Sequence, residues 1–322
     1  MKARFFVLIS VFAALMGSCA GNKATAGTDS TEESQRIDAP QFNADSAYDM
    51  VAAQCDFGPR VPGTDAHARC CEWLVGKLRG YADSVIVQDA PVTTFDGVKL
   101  NAKNIVAQFN KDASMRVLLL AHWDCRPWAD NDPDPAKQKQ PVMGANDAAS
   151  GVGVLLEMAR IMKTKAPELG VDILLVDAED WGKDEIEDSW ALGTQYWAAN
   201  PHVAGYKPSY GILLDMVGAQ GAQFAPEYYS LQYASAIVGS VWNIAADAGY
   251  KSFFKESGGG AVTDDHVAIN KAGIPCIDII DMRSGSETGF FQYWHTTGDT
   301  MDKIDRSTLK AVGQTLINLL YQ

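Results

Sequence analysis

With 322 residues, 47% hydrophobic and 21% charged, the chain has an ordinary globular composition and enough length to bury one large core. Its formal charge of −13 argues against a nucleic-acid partner, because phosphate binding needs clustered Lys and Arg and no basic stripe occurs. At the N-terminus, Lys2 and Arg4 precede an apolar run from Phe5 to Met16, then Gly17, Ser18 and Cys19. A basic start, a short apolar stretch and small residues before a cleavage point describe an export signal, and the run is too short for a permanent membrane span. A Cys after two small residues resembles a bacterial lipobox. Residues 1–18 are therefore expected to be removed and Cys19 lipidated, giving an exported, periplasmic lipoprotein that touches the membrane only through that lipid.

Residues 19–42 carry almost no large apolar side chain and read as a flexible tether, with residues 43–322 forming a single catalytic domain. Export permits disulfides, but the cysteines left after Cys19 (Cys55, Cys70, Cys71, Cys125 and Cys276) are odd in number and show no CxxC. Small buried residues are the expected role for most of them. A helical pattern near 64–80 precedes the runs "NIVAQF" (104–109) and "RVLLLAH" (116–122). A long polar loop, 125–145, is either a lid or a solvated insertion. Helical patterns near 150–166, 189–199, 226–248, 264–272 and 306–321 then alternate with "VDILLVDAE" (171–179), "YGILLDM" (210–216) and "PCIDIID" (275–281). Continuous apolar runs suit strands covered on both faces, so the alternation predicts a three-layer α/β sandwich with a central mixed, mostly parallel sheet flanked by helices.

In such sheets ligand sites lie beyond the carboxyl ends of the strands, and here those ends are unusually polar. The run 116–122 ends at His122, with Asp124 just after it. The run 171–179 reaches Glu179 and Asp180, and 210–216 contains Asp215. Beyond the last strand comes "QYWHTTGDT" with His295, and Asp147 stands at a strand-to-helix turn in "GANDAASG". Singly these are ordinary: Asp147 suits a helix cap, and Asp215 a satisfied buried acid. Together they form the His and carboxylate set that zinc accepts, and burying so many carboxylates without a cation would cost several kcal/mol each. Asp177 reads as structural. "SGGGAVTDDH" lacks the Lys-Ser/Thr of a phosphate loop, so its glycines are expected to let the backbone turn beside the pocket. His266 is expected to support Asp264 or cap a helix, and Trp181 to pack.

The series "AHWD…GANDAASGVGVLLEMAR…LLVDAED…ILLDM…VTDDH…GIPCIDII…WHTTGDT" resembles the zinc-dependent aminopeptidase superfamily, and within it the animal-type glutaminyl cyclases, which turn an N-terminal Gln into pyroglutamate. That resemblance implies one zinc held by Asp147, Asp180 and His295, with Glu179 as general acid/base. It implies that Asp215 and Asp264 form a hydrogen-bond network with Glu179 and hold the substrate amine. Trp294 and Phe290 match aromatic walls of the Gln pocket, and Trp190 in "EDSWALGT" is a further possible wall. Peptides or proteins with N-terminal Gln would be the partners. Two positions depart from the animal pattern: Asp278 stands where those enzymes have His, and Asp180 where they have Glu.

The superfamily's peptidases offer the alternative. There His122 and Asp215 would bind a second zinc bridged to the first by Asp147, and an activated water would hydrolyse N-terminal residues. All of these ligands are present, so the ligand set leaves both chemistries open; the "WHT" and "EDSWALGT" features lean towards the cyclase. A non-catalytic binding module built on this fold would be expected to show a broken ligand set, and this one is complete.

Overall fold

The computed structural model describes residues 38–186 and 188–322; the expected signal sequence, Cys19 and most of the expected tether lie outside them. The first two helices, α1 (Ala44–Cys55) and α2 (Asp65–Tyr81), begin at Asn43 and Thr64, whose side chains accept backbone N–H groups of the opening turn. Strands β1 (Ser84–Thr93) and β2 (Lys99–Phe109) form an antiparallel hairpin. β2 also pairs antiparallel with β4 (Gly170–Val176). Parallel pairings then run from β4 through β3 (Arg116–His122) and β5 (Tyr210–Asp215) to β6 (Cys276–Ile280). The order across the six-stranded sheet is β1-β2-β4-β3-β5-β6.

Every residue of β4 and β6 is buried, as their unbroken apolar runs require. On one face α1, α2, α3 (Ala149–Thr164), α5 (Tyr228–Asp247) and α7 (Arg306–Leu320) share a large core. The other face is covered by α4 (Leu192–Ala199) and α6 (Asp265–Lys271), around Trp197 and Ile269. The result is the three-layer α/β sandwich with a mixed sheet. Helix α3 lies against the sheet's centre and is buried from Ala149 to Ala159. Its small residues permit this: a Cβ on Gly151 would stand 2.3 Å from the Leu214 carbonyl oxygen, and one on Gly153 2.5 Å from Val51.

Two elements, α1 and β1, have no counterpart among the sequence patterns. Strand β1 sits at the sheet edge, and only Ala90 in it is fully buried, so it lacks a continuous apolar run. Strand β4 stops at Val176, which leaves Asp177 to Asp180 in the loop beyond it. Among the described residues all five cysteines are free thiols, with Cys70, Cys125 and Cys276 buried. Loop 125–145 is a solvated insertion at its tip, where residues 133–141 are exposed, but its base is pinned to the site. Among the described residues no helix is long and apolar enough to cross a membrane.

Candidate active site

The strand ends converge. His122, at the end of β3, puts Nε2 2.9 Å from Asp147 Oδ1 and 3.2 Å from Asp215 Oδ1. Asp147 does not cap α3: Ala148 is the N-cap residue, with no side-chain hydrogen bond, so the carboxylate is left to face the site. On the other side of Asp147, His295 Nε2 lies 3.7 Å from its Oδ2 and 3.2 Å from Asp180 Oδ1. Asp180 Oδ2 is buried without a hydrogen-bond partner. Two triads thus share Asp147: His122, Asp147 and Asp215, and Asp147, Asp180 and His295. In each, the ligand atoms lie within 4.8 Å of one another. A buried carboxylate oxygen with no donor, facing an imidazole and a second carboxylate, is the set a divalent cation completes.

The backbone is strained where these residues emerge. Ala178, Met216 and His295 have φ of 54°, 50° and 55°, in the left-handed region that side chains avoid. Each stands in or beside a site segment and turns the chain so that its neighbours face the pocket.

A cavity of about 660 Å³ lies over this floor. Asp147, Glu179, Asp180, Asp215, Asp264 and His295 all line it, as do Trp190, Phe290 and Trp294. His122 is only 1% exposed and lies beneath. Trp294 stacks on His295 at 3.8 Å between centroids, Trp190 stacks on the same imidazole at 6.0 Å, and Phe290 packs on Trp294 at 4.6 Å. The aromatic candidates therefore do form walls around the ligand set.

Burial is the first cause of the acids' high pKa values. It pushes Glu179 well above the usual carboxylate range, partly opposed by His122 and reinforced by Asp264 and Asp180. Asp264 is pushed up to about 7 by burial and then by Asp215. Asp215 rises to about 6, burial outweighing its bond to His122. Asp147 goes the other way: burial raises it, but the bond to His122 and the charges of both imidazoles win. Such displaced carboxyl groups in one cleft suit proton transfer near neutrality.

Other buried polar residues support the site, and one of them, Asp124, stood in the sequence among the candidate ligands but holds backbone instead. Asp124, fully buried, accepts the N–H groups of Glu179 (3.1 Å) and Asp180 (3.2 Å). Asp299, in "TTGDT", accepts those of Asn146 (2.9 Å) and Asp147 (3.0 Å). Arg126 reaches Asp180 Oδ1 at 3.2 Å and grips Asp130, which lies 3.6 Å from His295 Nδ1. The sequence cue was an acid beside each ligand motif, though nothing in spacing separates a backbone holder from a ligand. Asp177 is structural: it meets His67 at 2.9 Å and accepts the N–H groups of Lys103 and Ala178. Trp181 packs edge-on against Trp128. His266 departs from expectation. Asp264 itself caps α6, while His266 Nε2 lies 3.0 Å from Glu227, with Asp278 3.8 Å from its other nitrogen. Gly259 lets the backbone pass close to the start of α5, where a Cβ would meet the Pro226 carbonyl at 2.0 Å.

Residues 104–320 match the model of peptidase family M28. The chain belongs to that family. A Zn-dependent exopeptidase from Parabacteroides distasonis is 52% identical and superposes with a TM-score of 0.87 over 88% of this chain and 99% of its own. A glutaminyl cyclase from Tannerella forsythia is 50% identical, with a TM-score of 0.86 over 88% and 99%. The glutaminyl-peptide cyclotransferase of Bos taurus is 22% identical over 80% of this chain and 76% of its own. The Parabacteroides relative is Zn-dependent, and the buried donor set here suits zinc.

Proposed function

We propose that the protein is a zinc-dependent glutaminyl-peptide cyclotransferase that converts the N-terminal Gln of peptides or proteins to pyroglutamate with release of ammonia. It is of the bacterial rather than the animal type, in line with the far higher identity to the Tannerella cyclase than to the bovine enzyme. The observation that carries this reading is the asymmetry of the two triads. His122 is buried beneath the floor, and its Nε2 lies within hydrogen-bonding distance of both Asp147 and Asp215, which share its one N–H. The orphaned Asp180 oxygen and the wider 3.7 Å gap between Asp147 and His295 lie on the other side, under the aromatic walls. One zinc, held by Asp147, Asp180 and His295, fits this arrangement better than two.

Bound there, zinc supplies Lewis acidity for the γ-amide carbonyl. The chain's own residues do the rest. Trp190, Phe290 and Trp294 hold the Gln side chain in a slot that excludes water, which matters because the nucleophile is the substrate's own α-amine and ring closure needs only tethered atoms in the right pose. Glu179 takes a proton from the attacking amine and gives it to the departing ammonia, a task its raised pKa suits. Asp215 and Asp264 line the same pocket as Glu179 and would hold the amine. Residues 43–322 would act as one catalytic domain, exported under the signal of residues 1–18 and held at the periplasmic face through a lipid on Cys19 and the tether 19–42.

Mass spectrometry of a Gln-initiated peptide after incubation distinguishes the readings. The cyclase leaves the peptide full length and lighter by one ammonia. A peptide shortened from its N-terminus supports the di-zinc aminopeptidase instead.

A further inference from the structure

A second cavity, of about 340 Å³, lies between α4 and α6 beside the catalytic pocket. Its lining is dominated by small apolar side chains: Ala191, Ala198 and Ala199 on one side, Val267, Ala268 and Ala272 on the other. It adjoins the catalytic pocket: Trp190, Thr263, Asp264, Val267 and the Asp188–Lys271 pair line both.

We propose that this groove binds the residues that follow the N-terminal Gln, and that it selects aliphatic side chains at those positions. The inference rests on the cyclase reading, which fixes the direction of the substrate. With the γ-amide towards Asp147, Asp180 and His295 and the α-amine towards Glu179, the groove that adjoins the pocket at Asp264 and Trp190 is the apolar path open to the chain beyond the Gln carbonyl. Asp264 and Trp190 are where the groove opens. Another neighbouring cavity, of about 190 Å³, has Trp190, Trp294 and His295 in its lining but also Arg126, Asp130, Lys183, Asp184 and Glu185, so it is the more charged of the two. Across the mouth of the groove, Lys271 Nζ meets Asp188 Oδ1 at 3.1 Å. Those side chains are 61% and 59% exposed, so the pair is worth little and swings aside at small cost. Alanines on both helices keep the space open, and a leucine side chain lying between them would leave water.

The test compares ammonia release from glutamine amide, Gln-Gly-Gly-amide and Gln-Leu-Leu-amide by the wild type and by Ala268→Trp, which fills the groove. The wild type is expected to favour the leucine peptide over the glycine peptide by about tenfold in kcat/KM, the discrimination an apolar pocket supplies. Ala268→Trp should erase that preference and leave glutamine amide untouched. Should Ala268→Trp not fold, Ala199→Trp, at an exposed helix end, blocks the same space. Equal wild-type rates on the two peptides, a preference that survives the substitution, or an equal loss on glutamine amide would each overturn the assignment. A wild type that releases no ammonia even from glutamine amide overturns the cyclase reading itself, whereas an active wild type with a flat profile overturns the groove alone.

Discussion

The two carboxylate oxygens of Asp124 are split between neighbouring residues: Oδ1 accepts the N–H of Glu179 and Oδ2 that of Asp180. One buried side chain thereby fixes the backbone of both the proposed proton carrier and a proposed metal ligand. Replacing Asp124 with Asn removes one acceptor and frees that stretch of loop. Losses of outer-shell partners of this kind cost about 10- to 100-fold in metal affinity or activity. Zinc titration and kcat on the Asp124→Asn protein should show a loss in that range, and wild-type values for both would contradict the role.

Glu179 and Asp177 make a contrasting pair. Glu179→Gln keeps the shape and the metal ligands but removes the exchangeable proton, so kcat should fall by about 100-fold or more while bound zinc stays unchanged. Retained turnover would remove Glu179 from the mechanism.

Asp177 is fully buried against His67 and two backbone N–H groups and does not line the pocket. Asp177→Ala strands those donors, and breaking a buried pair of this kind costs about 3 kcal/mol or more of stability. Denaturant unfolding should show that loss, and an unchanged midpoint would contradict it.

The raised acids make a pH prediction for the metal-free protein. Burial pushes Asp215 up to about 6 and Asp264 and Asp299 up to about 7 in the folded chain, each well above the ordinary carboxylate value of 3.8. Between those values the folded chain holds more protons than the unfolded one, so stability falls as pH rises from about 4 to about 7. The lowered groups Asp130 and Asp147 act below 3.8, outside that window. Thermal unfolding of zinc-free protein should therefore give a lower Tm at about pH 8 than at about pH 5, with added zinc restoring stability most at the higher pH. A Tm that rises over this interval without metal would contradict the shifts.

The parallel part of the sheet was legible because β3, β4, β5 and β6 are buried on both faces and read as unbroken apolar runs. The site was legible because its residues lie at the ends of those runs or in the loops just beyond them. Strand β1 was not, since only Ala90 in it is buried, and helix α1 was not, since the stripe it buries at helical spacing, Ala47, Val51 and Gln54, contains one large apolar side chain. Asp124 and Asp299 were hidden for another reason. Each stands beside a ligand motif, and whether a carboxylate holds a cation or a backbone N–H depends on which way the loop turns. His266 was misread because its partner, Glu227, is distant in sequence and is brought to it by the start of α5.

The central claim is one zinc acting in a cyclase. Adding zinc stepwise to metal-free protein while following ammonia release from a Gln-initiated peptide tests it most directly. The account predicts that ammonia release reaches its maximum at one equivalent of zinc per chain, with the peptide left full length. Activity that climbs to two equivalents while free N-terminal residues accumulate would contradict it.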